Sequence, residues 1–342
     1  MQYIQVESFG GPGVLELKDV GTPLPGAGEV LVRVTSIGVN RAEVMGRLGK
    51  YKASTGEPPF VPGIEAGGVI ESVGEGVDPG RVGERVMLGP SVPRGVDGPH
   101  GGTYRSHMVV AADIALRAPD ALPDEQLGAV ILPYLTSYGC LIQHHGLKPG
   151  SVVGIPAATS SVGLAAAQVV KAAGSKAIGL TSSPRKVEAL KALETCAFDE
   201  ILVTHDEERN LLPFRRDLKS LTGGKGVDVF FDPVAAGAYL QEEVLALAPG
   251  GKIYVYGLLG RPDKVDITPL IIKRASIEGW VLNRTVDAGE EVWRGACDAI
   301  FRGFASGDYR QHLDKVFKLE DAQAAHEYLV KGQHIGKLVL VP

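Results

Sequence analysis

Apolar positions along the chain follow two rhythms, and the change between them divides it. Over roughly the first 120 residues, short alternating or apolar runs (EVLVRVTSIGV, GVIESVGEGV, ERVMLG, SHMVV) are punctuated by glycine and proline. That stretch holds 22 of the 45 glycines and 11 of the 22 prolines, which predicts an irregular all-β domain of short strands and turns. From about residue 124, strand-like runs alternate with helix-like segments. The strands are predicted at Val152–Pro156, Ala177–Leu180, Glu200–Val203, Val227–Asp232, Lys252–Tyr256 and Ser276–Val281. Helices are predicted near 162–173, 184–195, 236–247 and 266–274. The alternation predicts an α/β fold with a doubly wound parallel sheet. After about 283 come a helix at 290–306 and a closing strand at Gly336–Val341, too little to bury a core alone and expected to rejoin the first domain. The two expected domains are therefore 1–123 with 283–342, and 124–282.

With 342 residues there is enough chain for two cores, and 44% hydrophobic with 22% charged residues is ordinary globular composition. No apolar run reaches the roughly 18 residues of a membrane span, and MQYIQVESFG carries no secretory pattern. A net charge of −5 argues against a nucleic-acid partner. Cys140, Cys196 and Cys297 are scattered and odd in number, so no disulfide framework is expected and a cytoplasmic location is.

Candidate chemistry concentrates in 151–186, an apolar strand, a turn of small residues, an alanine-rich helix, a second strand and two adjacent cations. This is the opening of a dinucleotide-binding unit, but its Gly-x-Gly-x-x-Gly turn reads Ala158-Thr159-Ser160-Ser161-Val162-Gly163. Ala158, Ser160 and Gly163 stand at the glycine places, and the Ser160 and Ser161 hydroxyls can donate to a diphosphate beside the helix N-terminus. The same turn also reads as a plain strand–turn–helix with a serine N-cap. About 20 positions on, where an acid would hold a ribose hydroxyl, stand Thr181, Ser182, Ser183, Arg185 and Lys186. Ser183-Pro184 reads as an N-cap with proline at the first helical position. Two cations in that first turn oppose the helix dipole, a cost that a bound 2′-phosphate offsets. NADP(H) is the cofactor this pattern favours over NAD(H), against the alternative of two solvated basic residues.

Taken together, the segments resemble the medium-chain dehydrogenase/reductase superfamily, and within it the zinc-free NADPH:quinone oxidoreductases and zeta-crystallins. GGPGVLEL (10–17), PGAGEVLVRVTSIGVNRAEV (25–44), RLGKY (47–51), FVPGIEAGGVIESVGEGV (60–77) and GGTYRSHMVV (101–110) carry the likeness in the first domain. LPYLTSYG (132–139), LKPGSVVGIPAATSSVGLAAAQ (147–168), GVDVFFDPV (226–234), LAPGGKIYVYG (247–257) and GKLVLVP (336–342) carry it in the remainder. The resemblance implies a GroES-like catalytic domain beside a Rossmann domain. It also implies a homodimer joined through the sixth strand, residues 275–282.

Zinc-dependent members place Cys and His where this chain has Asn40 and Ile64, and the four-cysteine zinc lobe has no counterpart, so no metal site is expected. Glu65 is expected in an internal ion pair. Without a metal, the implied acceptor is one that takes hydride unaided, a quinone or an α,β-unsaturated carbonyl. By the same resemblance Asn40, followed by Glu43, lies near the nicotinamide and can hydrogen-bond the developing oxyanion; it also reads as a plain turn residue. Tyr51 matches a tyrosine proposed as proton donor, or else closes a glycine-rich loop. A second family tyrosine is replaced by Met45, which leaves the acceptor open and makes the pocket more apolar.

Tyr134 and Thr136 are implied on the nicotinamide side, as are the backbone groups of Tyr256, Gly257 and Leu258. Whether Asn283 and Lys337 reach the cofactor is open. Residues 90–102 are expected to rim the substrate cleft, with Arg94 as a contact for an acidic group. Two alternatives stand beside the quinone or enone reductase. One is a 2-enoyl thioester reductase, whose basic rim would draw on Arg94, Arg105, Lys50 and Lys52. The other is a non-catalytic NADPH-binding protein of the crystallin kind.

Overall fold

The computed structural model describes residues 1–51, 55–90 and 101–342; Lys52 and Arg94 lie outside the described residues. Contacts divide the chain into two compact units, 1–132 with 301–307 and 311–342, and 133–300 with 308–310.

Strands β1 (Gln2–Val6) and β2 (Leu15–Asp19) form an antiparallel pair in the first unit. The larger sheet takes β3 (Glu29–Val39), β4 (Ala66–Val73), β5 (Arg85–Leu88), β6 (His107–Ala111) and β7 (Ala115–Arg117). To these it adds β14 (Leu313–Lys318) and β15 (Lys337–Val341), in the order β14-β15-β3-β4-β5-β7 with β6 on β3. The tail thus rejoins the first sheet, as its apolar GKLVLV pattern predicts. Strand β3 is buried at most positions, and its Val30, Val32, Val34, Ile37 and Val39 pack with Ile4, Phe60, Ile70 and Leu340 in one core.

The second unit holds β8 (Val152–Pro156), β9 (Lys176–Thr181), β10 (Glu200–Val203), β11 (Val227–Asp232), β12 (Leu247–Val255) and β13 (Ser276–Gly279). All neighbours are parallel and the order is β10-β9-β8-β11-β12-β13, the doubly wound arrangement. Both faces of the inner strands are covered, which is why β8 and β11 are largely apolar, while the edge strands β10 and β13 carry Glu200 and Glu278. Val229, Phe231 and Tyr254 enter one core with Val153 and Ile155, while Phe230 and Ile253 enter the other with Ile178 and Leu180.

Three expectations change. The unit boundaries fall later than 123 and 282. Residues 124–129 belong with the first sheet, because the Ser36 hydroxyl donates to Glu125 O (2.7 Å) and accepts from Gly128 N (3.2 Å). Residues 283–300 belong with the second unit, where Gln143 donates to Val292 O (2.9 Å) and a Cβ on Gly139 would collide with the Thr285 hydroxyl. The helix predicted at 184–195 is a single 3-10 turn, Pro184–Lys186, followed by a short helix, Val187–Lys191. A helix at Arg215–Leu221, absent from the pattern reading, fills the crossover from β10 to β11.

Candidate active site

Two groups of candidate residues lie in separate units. The first surrounds the end of β3. There the N-x-x-E spacing makes Asn40 the N-cap of helix Arg41–Arg47, with Asn40 N donating to the Glu43 carboxylate (2.7 Å). The Asn40 amide donates to Glu65 (3.1 Å) and Glu43 (3.3 Å), and its oxygen accepts from the Lys337 ammonium. Lys337, from β15, also donates to Glu65, and the other Glu65 oxygen accepts from Leu132 N (2.9 Å). The expected ion pair of Glu65 therefore exists, and Lys337 is its partner. Asn40, Glu43, Glu65 and Lys337 are all buried. Burial raises the Glu43 carboxyl to about 7, although the Lys337 charge pulls the other way.

This donor set does not fit zinc. An amide stands at one family ligand position and half-buried Ile64 at another, and of the two carboxylates in this cluster Glu65 is already neutralised by an ammonium. The Asn40 amide hydrogens face the two carboxylates and Gly38 O (3.4 Å), so Asn40 shapes this cluster. Tyr51 is 41% exposed.

The second group occupies the carboxyl ends of β8, β9, β11 and β12. After Pro156 the chain turns through Ala157 in the left-handed region (φ +50). Ala158 N donates to Leu180 O (3.1 Å), and Ser160 caps helix Ser161–Ala172 by accepting from Gly163 N (3.0 Å). Gly163 fills the role of the third fingerprint glycine. A Cβ there would lie 2.7 Å from Ala157 O and 3.0 Å from Ala158 O, so only glycine lets the helix start this close to the turn. Ser161 and Val162 are half-buried in its first turn. Register pairs Pro156 with Leu180, so the end of β9 lies beside this turn. There Thr181 is buried and accepts from Ser183 N (3.3 Å), Ser183 makes no side-chain cap bond, Ser182 and Arg185 are exposed, and Lys186 is half-buried. At the end of β12, Tyr256 stacks on Phe231 (ring centroids 4.0 Å apart), Gly257 is half-buried and Leu258 is 64% exposed.

The structure assembles the turn, the β9 lip and the β12 loop at one end of one sheet, beside the β8/β11 switch point where ligands of such sheets bind. A helix N-terminus, serine hydroxyls and an exposed cation fit a phosphorylated dinucleotide. Two candidates are corrected. Tyr134 is 1% exposed and its hydroxyl donates to Gln168 (3.0 Å) and Arg310 O (3.1 Å), so it is core structure. Ala158 is fully buried and serves the turn by its small size. Thr136 is buried in helix Ile131–Tyr138. Arg105, a candidate for a basic rim, is buried as well, while Lys50 is exposed. Lys337 and Glu43 were the members of the Asn40 cluster hardest to see. A lysine opening an apolar strand in GKLVLV was the available signal for one, and the N-x-x-E capping box for the other.

Known sequences and structures agree with this reading of the fold. The zinc-binding dehydrogenase family matches residues 161–302, and the alcohol dehydrogenase GroES-like domain matches 26–120. A 2-haloacrylate reductase from Burkholderia sp. is 31% identical over 351 residues, covering 98% of each chain. The chain belongs to the medium-chain dehydrogenase/reductase family. The quinone oxidoreductase of Lama guanicoe is 29% identical over 343 residues, covering all of this chain and 97% of the relative. Among solved structures, Escherichia coli quinone oxidoreductase complexed with NADPH superimposes with a TM-score of 0.84 at 28% identity, covering the whole of both chains.

Proposed function

We propose that this protein is an NADPH-dependent, zinc-independent reductase that delivers hydride to a quinone or an α,β-unsaturated carbonyl. The observation that carries this reading is the lip after β9, where hydroxyls and cations stand and no carboxylate does. Ser160, Ser161 and the amides opening helix Ser161–Ala172 would hold the diphosphate, and Arg185 with Lys186 the 2′-phosphate. Bound there, NADPH supplies the hydride. The chain's own part is then to orient the acceptor and return a proton. The exposed Tyr51 hydroxyl donates to the oxyanion or the α-carbon, and the Asn40–Glu65–Lys337 cluster fixes the backbone from which helix Arg41–Arg47 leads to Tyr51.

The likeness to a 2-haloacrylate reductase adds electron-poor unsaturated acids to the acceptors worth testing. Arg105 being buried weakens the thioester alternative, whose rim needs surface cations. We also propose a homodimer through β13. It is an edge strand, preceded by a helix with Ile271 and Ile272 about 80% exposed and followed by Val281 half exposed.

Steady-state assays with NADPH or NADH against 1,4-quinones, short enones, 2-haloacrylate and crotonyl-CoA test the reading. Turnover of quinone or enone with NADPH preferred is the expected result. Equal use of NADH removes the phosphate argument, turnover of crotonyl-CoA alone moves the thioester reading ahead, and NADPH binding without any turnover leaves a binder.

A further inference from the structure

Strand β11 ends at a carboxylate that organises the turn after it. Asp232 is fully buried; its two oxygens accept from Val234 N (2.5 Å) and Ala235 N (2.8 Å), and Ala235 sits in the left-handed region (φ +46). The turn so formed anchors the next loop of the sheet. Tyr256 N donates to Asp232 O (2.9 Å), Leu259 N to Pro233 O (2.8 Å) and Gly260 N to Val234 O (2.9 Å). Loop 256–260, which bears the three candidates for the nicotinamide side, therefore hangs from the Asp232 turn.

Against Asp232 lies a second acid. Glu243, on helix Gly237–Ala246, is fully buried, and among the described residues no amide, hydroxyl or cation donates to either of its oxygens. The group within its hydrogen-bonding reach is the Asp232 carboxyl. The other titratable groups facing the pair are phenols, Tyr239 from the same helix and Tyr256 from the end of β12, and neither brings positive charge. Two buried carboxylates cannot face each other both ionised, and one proton shared as O–H···O⁻ removes the conflict. Asp232 already receives two main-chain N–H bonds, which favour its charged form, so the proton resides on Glu243.

We propose that Glu243 is a positioning residue that carries the proton of this carboxyl pair and, by donating it to Asp232, holds loop 256–260 in the form that receives the nicotinamide end of NADPH. This rests on NADPH being the cofactor of the β8–β9 turn. Ionising Glu243 sets two negative charges against each other, loosens the Asp232 turn and frees the loop. Burial, and after it the Asp232 charge, raises the Glu243 carboxyl, so the contact is complete at low pH and is lost as the pH rises.

The test compares wild type with Glu243→Gln, whose amide donates to Asp232 at every pH, and with Glu243→Leu, which cannot donate. NADPH dissociation constants and melting temperatures are measured from about pH 6 to pH 10. In wild type the constant rises by roughly tenfold or more toward alkaline pH, whereas in Glu243→Gln it stays flat. Glu243→Leu binds weakly throughout. Parallel profiles for wild type and Glu243→Gln in both measurements overturn the proposal. Failure of wild type to bind NADPH at any pH overturns the cofactor reading and the positioning role together. In that event an alkaline loss of melting temperature confined to wild type still assigns the proton to Glu243, and its absence removes that assignment too.

Discussion

The Lys337 ammonium and the Glu65 carboxylate form an ion pair in which the two side chains are 0% and 1% exposed, with Asn40 bonded to both. At such burial the pair matters through what its loss leaves behind. Lys337→Met strands a carboxylate in the core and is expected to cost about 3–5 kcal/mol, read from urea unfolding. Adding Glu65→Gln should recover part of the loss, because the orphaned charge goes with it. Equal stability of the single and double variants would contradict this.

In the proposed reading Arg185 and Lys186 carry the cofactor preference. Replacing both with alanine should raise KM for NADPH by roughly 10–100-fold and leave KM for NADH nearly unchanged, since only one cofactor brings a 2′-phosphate. Steady-state kinetics with both cofactors decide it.

Gly163 has no room for a methyl group, its nearest obstacles being the carbonyl oxygens of the turn itself. Gly163→Ala should cost about 1–3 kcal/mol in thermal unfolding and weaken NADPH binding, because the helix start must retreat from the turn. Unaltered binding with altered stability would separate packing from phosphate recognition.

Glu43 should give unfolding a pH dependence near neutrality. Folded, its carboxyl titrates at about 7, against an ordinary 4.5. The folded state thus holds this proton more tightly, so its contribution is complete below about 4.5 and is lost as the pH rises through 7. Urea midpoints measured at several pH values should fall across that window, and Glu43→Gln should flatten the fall while still accepting from Asn40 N.

Tyr51→Phe is expected to lower turnover of enones by about 100-fold without changing NADPH affinity. An unchanged rate removes the phenol from the reaction and leaves water as the proton source.

The second unit was the more legible part of the chain. Val152–Pro156 and Val227–Asp232 occur where apolar runs bounded by turn residues predict them, because a strand covered on both faces leaves that signature, and the edge strand Glu200–Val203 also falls within its predicted bounds. Arg215–Leu221 was hidden by its brevity and its charges, and the direction of Tyr134 is set by partners at 168 and 310 that no local pattern names. The same limit applies to Asn40. Its place in GVN is readable, but what its amide does depends on Lys337, 297 positions away.

That separation bears on how the protein is made. The second unit is contiguous but for three residues, whereas the sheet of the first needs β15, the last strand of the chain, against β3. A ribosome that has delivered 300 residues has released most of what the second unit requires. It has also exposed an amino-terminal half whose buried acid, Glu65, still lacks its counter-charge. The N-terminal unit is thus completed after the second, and removal of residues 337–341 should injure the sheet built around β3.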